Sequence, residues 1–267
     1  MNRRCFSYQL ALFRVICYPD HPMEIKLNEI AAVLEGLEET IIHRIIDRGQ
    51  YRSNDCVYEP GKSGFSGGRN MSLLDIRLKR QEEMDSEFGR FSVPEERPFR
   101  RDLPKPKRRL NPAANPLEID DYNRINLTSK VFFAYCSMIS RFCEPGDDGQ
   151  YGSAVELDVA ALQAVSRRVH FGSFYIAESK YQAEPVKYGE LIAAGDTAAI
   201  VDLLTRKEVE DQILKRLKVK VDSIQSRINT LVRRQVDPEA IIEFYRRDII
   251  PLTKEGEILY LFHRNRT

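Results

Sequence analysis

Residues 165–182 read VSRRVHFGSFYIAESKYQ, and the interpretation of this stretch decides that of the chain around it. Two adjacent arginines, Arg167 and Arg168, and then Lys180 run through a segment otherwise suited to burial. A positive charge is costly to desolvate unless something negative meets it. Either the cations snorkel to water from an ordinary surface helix, or they hold a doubly negative partner.

Outward from this stretch the pattern is helical. The segment resumes after a break at EPGDDGQYGS (144–153) and runs on to about residue 182. Upstream, Leu27, Ile30, Leu34, Leu37, Ile41 and Ile45 recur at the spacing of one helical face. Further helices are expected over 72–88, 122–142, 186–194, 196–203, 206–232 and 238–262, with Asp196 and Asp237 as N-caps, the latter just before Pro238. No internal repeat and no set of strands emerges, so the expected class is all-α, one helical domain over 23–267. The basic, proline-rich connection at 92–121, containing RPFRRDLPKPKRRLNP, reads as solvated loop. The glycine-rich loop EPGKSGFSGGRN (59–70) contains GKS, but no glycine stands five positions before Gly61, so the phosphate-loop pattern fails.

The totals narrow the function classes. The 267 residues carry 41 basic and 40 acidic side chains, so no global field points to nucleic acid or a membrane. No run approaches the roughly 20 apolar residues of a membrane span. Five cysteines without a CxxC pair argue against a disulfide framework and a zinc knuckle and point to a reducing, cytoplasmic setting. The first 22 residues have a basic start and a semi-apolar middle, but Arg14 splits the run and no small-residue cleavage site follows. They read as a disordered or non-native extension, with translation starting at Met23.

No Ser/Cys–His constellation stands out, and four scattered histidines do not make a metal site, so neither metal nor cofactor is expected. His170 reads as a packed or capping histidine. What remains is charge on helices. Arg206 and Glu210, and Thr253 and Glu257, are each four apart, so each pair projects from one helical face.

At this point the residues resemble a family. LQAVSRRVHFGSFYIAESKYQ (162–182), EVEDQILKRL (208–217) and IIPLTKEGEILYL (249–261) are similar to the all-helical chorismate mutases of the eukaryotic type. Fainter likeness lies in LEETIIHRIIDRGQY (37–51), VYE (57–59) and GRFSVPEERPF (89–99). The resemblance implies an enzyme that rearranges chorismate to prephenate within one molecule, by selecting the compact conformer and stabilising charge on the breaking ether oxygen. It implies that Arg168 grips the side-chain carboxylate and Lys180 reaches the ether oxygen and a carboxylate. Glu210 would accept from the ring hydroxyl, Thr253 contact a carboxylate, and a protonated Glu257 donate to the ether oxygen. It also implies a homodimer in the pathway to Phe and Tyr, with aromatic amino acids as effectors near Arg90, Gly152 and Ser153.

Three departures qualify the match. Ala31 stands where the family carries a carboxylate-binding arginine, a loss of roughly 1.5–3 kcal/mol for one charged hydrogen bond. Arg206 stands where the family usually has asparagine; it can supply the missing charge from another wall, or pair with Glu210 and close the site. The spacing from Arg168 to Lys180 is twelve residues where eleven is expected. At about 100° per residue, the extra one turns the lysine to about 120° from the arginine's face. A π-bulge near 174–176 would absorb it; without one, Lys180 is misdirected. Together the three departures leave one alternative, a catalytically weak relative that keeps the fold as a ligand-binding or regulatory dimer. Gly89 in place of a second arginine, and Glu156 in place of a smaller residue, point to an unregulated dimer.

Overall fold

A computed structural model describes residues 26–110 and 115–265. The proposed extension at 1–22 and the start at Met23 lie outside the described residues. Within them the chain is helical and has no strand. The α-helices are α1 (Leu27–Arg48), α2 (Leu73–Glu87), α3 (Thr128–Phe142), α4 (Tyr151–Phe171), α5 (Ala177–Ala183), α6 (Pro185–Ala194), α7 (Thr197–Leu204), α8 (Lys207–Gln225), α9 (Pro238–Phe244) and α10 (Ile250–His263). Five-residue π-helices, Gly172–Ile176 and Tyr245–Ile249, join α4 to α5 and α9 to α10 without a break. None of these helices is long and apolar enough to cross a membrane.

Local chemistry sets the ends. Ser72 and Asp75 cap each other's backbone at the start of α2. Asp196 accepts from the Ala199 amide, and Asp237 from the Glu239 amide ahead of a helix that opens on Pro238. Two ends differ from the periodicity. The helix expected from 122 begins at Thr128, because Asn126 takes the Thr128 amide and hydroxyl on its own side chain. The helix expected to reach 232 stops at Gln225. There the Gln225 amide group exchanges two hydrogen bonds with the backbone of Val236, which turns the chain back and buries Val236.

α1 and α4 pack along one another and carry two apolar clusters between them. Ile41, Ile42 and Ile45 of α1 meet Val159, Leu162 and Val165 of α4, with Tyr135, Phe142 and Phe244 closing the larger cluster. Ile30 and Leu34 at the other end of α1 join Phe171, Phe174, Ile200 and Tyr260 in the second. Each such side chain contributes about 1.5–3 kcal/mol on burial. Among its described residues, the 92–121 connection is tied to the helices. Ser86 donates to the Pro104 carbonyl, Lys107 pairs with Glu87, and Leu117 and Ile119 are buried in the second cluster.

Candidate active site

The two arginines of residues 165–182 leave α4 on different sides. Arg167 faces away, toward Glu95 and Glu96 at 3.8 and 3.4 Å. Arg168 is buried; one terminal nitrogen donates to Thr253 Oγ1 at 2.5 Å, and its Nε has no partner in the protein. His170 is structural. Its Nε2 accepts the Leu127 amide at the head of α3 while Nδ1 faces the Ser166 carbonyl, and burial pushes it down to about 3, so the ring is neutral.

The extra residue between Arg168 and Lys180 is taken up in the π-helix Gly172–Ile176. The widened turn packs against α10: the Ser173 hydroxyl donates to the Val169 and Thr253 carbonyls. Gly172 is required there, because a Cβ would come within 2.7 Å of Thr253 Cγ2. With the register restored, Lys180 Nζ reaches Glu257 at 3.0 Å and the Leu204 carbonyl at 3.1 Å.

Arg168, Lys180, Thr253 and Glu257 line one cavity of about 260 Å³ between α1, α4, α5, α8 and α10. Its floor is apolar, with Ile30, Leu34, Ile176 and Ile250. Glu257 is buried, which pushes its carboxyl above the ordinary range, against the opposing pull of Lys180. Five basic side chains, Arg168, Lys180, Arg206, Arg216 and Lys254, face three carboxyls, Glu38, Glu210 and Glu257. The formal surplus of positive charge suits a small dianion. A larger, more open groove of about 750 Å³ lies at the other end of α1, where Arg233 is paired with Asp47. It lacks this convergence.

Glu210 does not pair with Arg206. Its partner is Lys254, at 2.7 Å. Arg206 is exposed at the head of α8 and lines the cavity together with Ala31. Sequence reasoning passed over three contributors. Lys254 lies inside the quoted PLTKEGE motif beside Thr253, and its position was the available signal. Glu38 and Arg216 meet through two contacts at 3.0 and 2.7 Å, joined by Lys220, from helices far apart in sequence. Arg216 alone reads as one more surface cation in KRLKVK.

The residues expected near an effector are not brought together within one chain. Arg90 is engaged by Asp85, Glu96 and Gln163. Gln163 lies eleven residues along α4 from Gly152, about 16 Å of helix. Gly152 and Ser153 are exposed at the first turn of α4. At Gly89, φ is +83° and a Cβ would press on Leu110 and Arg108, so the position accommodates little else.

No family model matches the chain. The chorismate mutase of Schizosaccharomyces pombe is 33% identical over 247 residues, covering 90% of this chain and 97% of the relative. The solved structure of Aro7p chorismate mutase from Candida albicans, in complex with L-Trp, superposes with a TM-score of 0.84 at 33% identity, over 90% of this chain and 92% of that one. The structure of AtCM1 with tyrosine bound in its allosteric site gives a TM-score of 0.78 at 34% identity, over 91% and 98% of the two chains. With the shared all-helical fold and likeness along nearly the whole length of these proteins, this chain belongs to the chorismate mutase family.

Proposed function

We propose that the cavity between α1, α4, α5, α8 and α10 rearranges chorismate to prephenate, on the route to Phe and Tyr, and that the side chains lining it are the catalyst. In the reaction a carbon–oxygen bond breaks as a carbon–carbon bond forms, and no proton is exchanged with the enzyme. The protein's contribution is conformer selection and charge stabilisation. Arg168 and Thr253 grip the side-chain carboxylate. Lys180 and a protonated Glu257 meet the ether oxygen as it gains charge. Glu210, steadied by Lys254, accepts from the ring hydroxyl. Arg206 takes the ring carboxylate in place of the cation absent at Ala31.

The observation that carries this reading is the meeting of Lys180 with Glu257 at 3.0 Å and of Arg168 with Thr253 at 2.5 Å on the wall of one cavity. The π-helix favours it over a catalytically weak relative, because it removes the misdirection that twelve-residue spacing would cause. The test follows chorismate consumption by the purified protein. Arg206→Ala is expected to lower kcat/KM about 10- to 100-fold, the value of one charged hydrogen bond. Adding Ala31→Arg to that variant should recover part of the loss. A silent Arg206→Ala sinks the compensation; no consumption by the wild type sinks the function.

The same reading treats 23–267 as one domain, since α1 and α4 supply side chains to both apolar clusters. It places the enzyme in the cytoplasm as a homodimer, whose second copy would cover exposed apolar groups such as Phe88 and Leu231. Light scattering of the purified protein tests the stoichiometry. Relatives bind Trp and Tyr. Here Arg90 is already committed to three side chains of its own chain. That supports turnover insensitive to either amino acid, which a titration at subsaturating chorismate checks.

A further inference from the structure

Lys180 sits on α5, a helix of only seven residues between a π-helix and the break at Glu184. α5 is joined to the long α4 only through that π-helix, so a twist of a few tens of degrees within it would carry the ammonium out of the cavity. The opposite face of α5 is tied down. Glu178, two residues before Lys180 and fully buried, receives Arg264 on both carboxylate oxygens, at 2.8 and 3.0 Å. The Tyr260 hydroxyl donates to the same carboxylate at 2.7 Å, and the Arg264 guanidinium lies 3.8 Å from the centre of the Tyr181 ring.

These contacts form a ladder between the same two elements. Lys180 meets Glu257 at the cavity, while Glu178 meets Tyr260 and Arg264 further along α10 and at its end. The charges are reversed between the two ends: α5 offers a cation at the cavity and an anion at the far end. Only one rotation and register of α5 satisfies both. The far end is itself anchored, because the Glu118 amide donates to the Tyr260 hydroxyl and the Asn265 amide to the Glu118 carbonyl.

We propose that Glu178, Tyr260 and Arg264 are positioning residues, a latch that holds Lys180 in the cavity when its ammonium turns from Glu257 to the substrate. The inference rests on the functional reading above, in which Lys180 and a protonated Glu257 act on the ether oxygen.

The groups that face Glu257 are Lys180 from α5, Arg168 from α4, Tyr188 from α6 and Lys254 on its own helix, with Arg206 at the head of α8, Glu210 and Arg216 within it and Glu38 of α1 on the walls of the same cavity. Of the cations that act on Glu257, Lys180 opposes its protonation most. Releasing the latch should therefore leave a signature that plain destabilisation lacks. As Lys180 withdraws, Glu257 of the free enzyme keeps its proton to higher pH, so kcat falls while the alkaline limb of kcat/KM moves upward.

The experiment measures kcat, KM for chorismate, the pH profile of kcat/KM and the melting temperature for wild type, Arg264→Gln, Arg264→Lys and Tyr260→Phe. Arg264→Gln is expected to lose about 10- to 100-fold in kcat, the scale of an ångström-level misplacement, with the limb displaced upward. Arg264→Lys, which keeps the charge without the two-pronged contact, should recover part of both. A folded Arg264→Gln with wild-type kcat, or with reduced kcat and an unmoved limb, overturns the latch. Should that variant not fold, Tyr260→Phe decides: a smaller shift in the same sense supports the latch, and an unchanged profile overturns it. A wild type without turnover removes the functional reading and the latch together. A wild type active with a flat pH profile removes Glu257 as donor, and the latch with it. An active, pH-dependent wild type beside indifferent latch variants removes the latch alone.

Discussion

Burial and a neighbouring ammonium pull the Glu257 carboxyl in opposite directions, and burial is the larger effect. Its pKa is therefore raised, and the neutral acid that can donate to an ether oxygen persists to higher pH than on an exposed glutamate near 4.3. The sign follows: the active form is lost as pH rises through the raised value, so kcat should climb as pH is lowered from neutral. Glu257→Gln keeps a donor that does not titrate, and its kcat should be flat over the range where the wild type slopes. Equal slopes in the two proteins, measured as chorismate consumption, would rule out Glu257 as the titrating donor. At this scale much was legible. Arg168, Lys180, Glu210, Thr253 and Glu257 all line the cavity, and motif positions were enough to nominate them. Glu38 and Arg216 were not legible, because a carboxylate and a guanidinium 178 positions apart carry no local pattern that pairs them.

Helix α4 and helix α5 form one rod only through the π-helix at Gly172–Ile176. Sequence spacing raised the need for it, since a continuous α-helix would turn Lys180 about 120° from Arg168. A second π-helix, Tyr245–Ile249, leads into α10 and gave no sign of itself in the sequence. Its Ile249 carbonyl accepts the Thr253 hydroxyl, the same group that receives Arg168. Inserting one alanine between Ala177 and Glu178 should turn Lys180 by about 100° and separate it from Glu257. Activity is expected to fall at least 100-fold, consistent with the cost of misplaced catalytic groups, while far-ultraviolet circular dichroism keeps its helical amplitude. Retained activity would show that the register of α5 is not what aims the lysine.

Across the whole molecule, a fully buried ion pair joins segments far apart in the chain. Arg48, at the end of α1, donates to Asp158 of α4 at 2.7 Å, and Asp158 also accepts from Tyr58 and Tyr135. The remaining Arg48 donors go to the backbone carbonyls at 52 and 53, the Cys143 sulfur and the Tyr58 hydroxyl, so the chain that follows α1 is held against α4. Arg48→Met leaves Asp158 without its cation in the core. It should destabilise the fold by about 3–5 kcal/mol, the usual cost of breaking a buried pair from one side, with a matching fall in the midpoint of urea unfolding. A loss under about 1 kcal/mol, the range of an exposed pair, would show that water reaches the site. Arg48 and Tyr58 both fall in segments where family likeness was visible, LEETIIHRIIDRGQY and VYE. The likeness flagged those segments without saying that they meet Asp158.

By itself the sequence determined the helical class, most helix boundaries, the family and the principal cavity residues. Each of these depends on information written within a few turns: a periodic apolar face, a capping side chain, a contiguous motif. Tertiary structure alone decided that Glu210 takes Lys254 rather than Arg206, that α8 stops at Gln225, and that Arg264 reaches back to Glu178. These are choices among several chemically equivalent partners. Such a choice is made by which groups are brought within hydrogen-bonding distance when the helices pack.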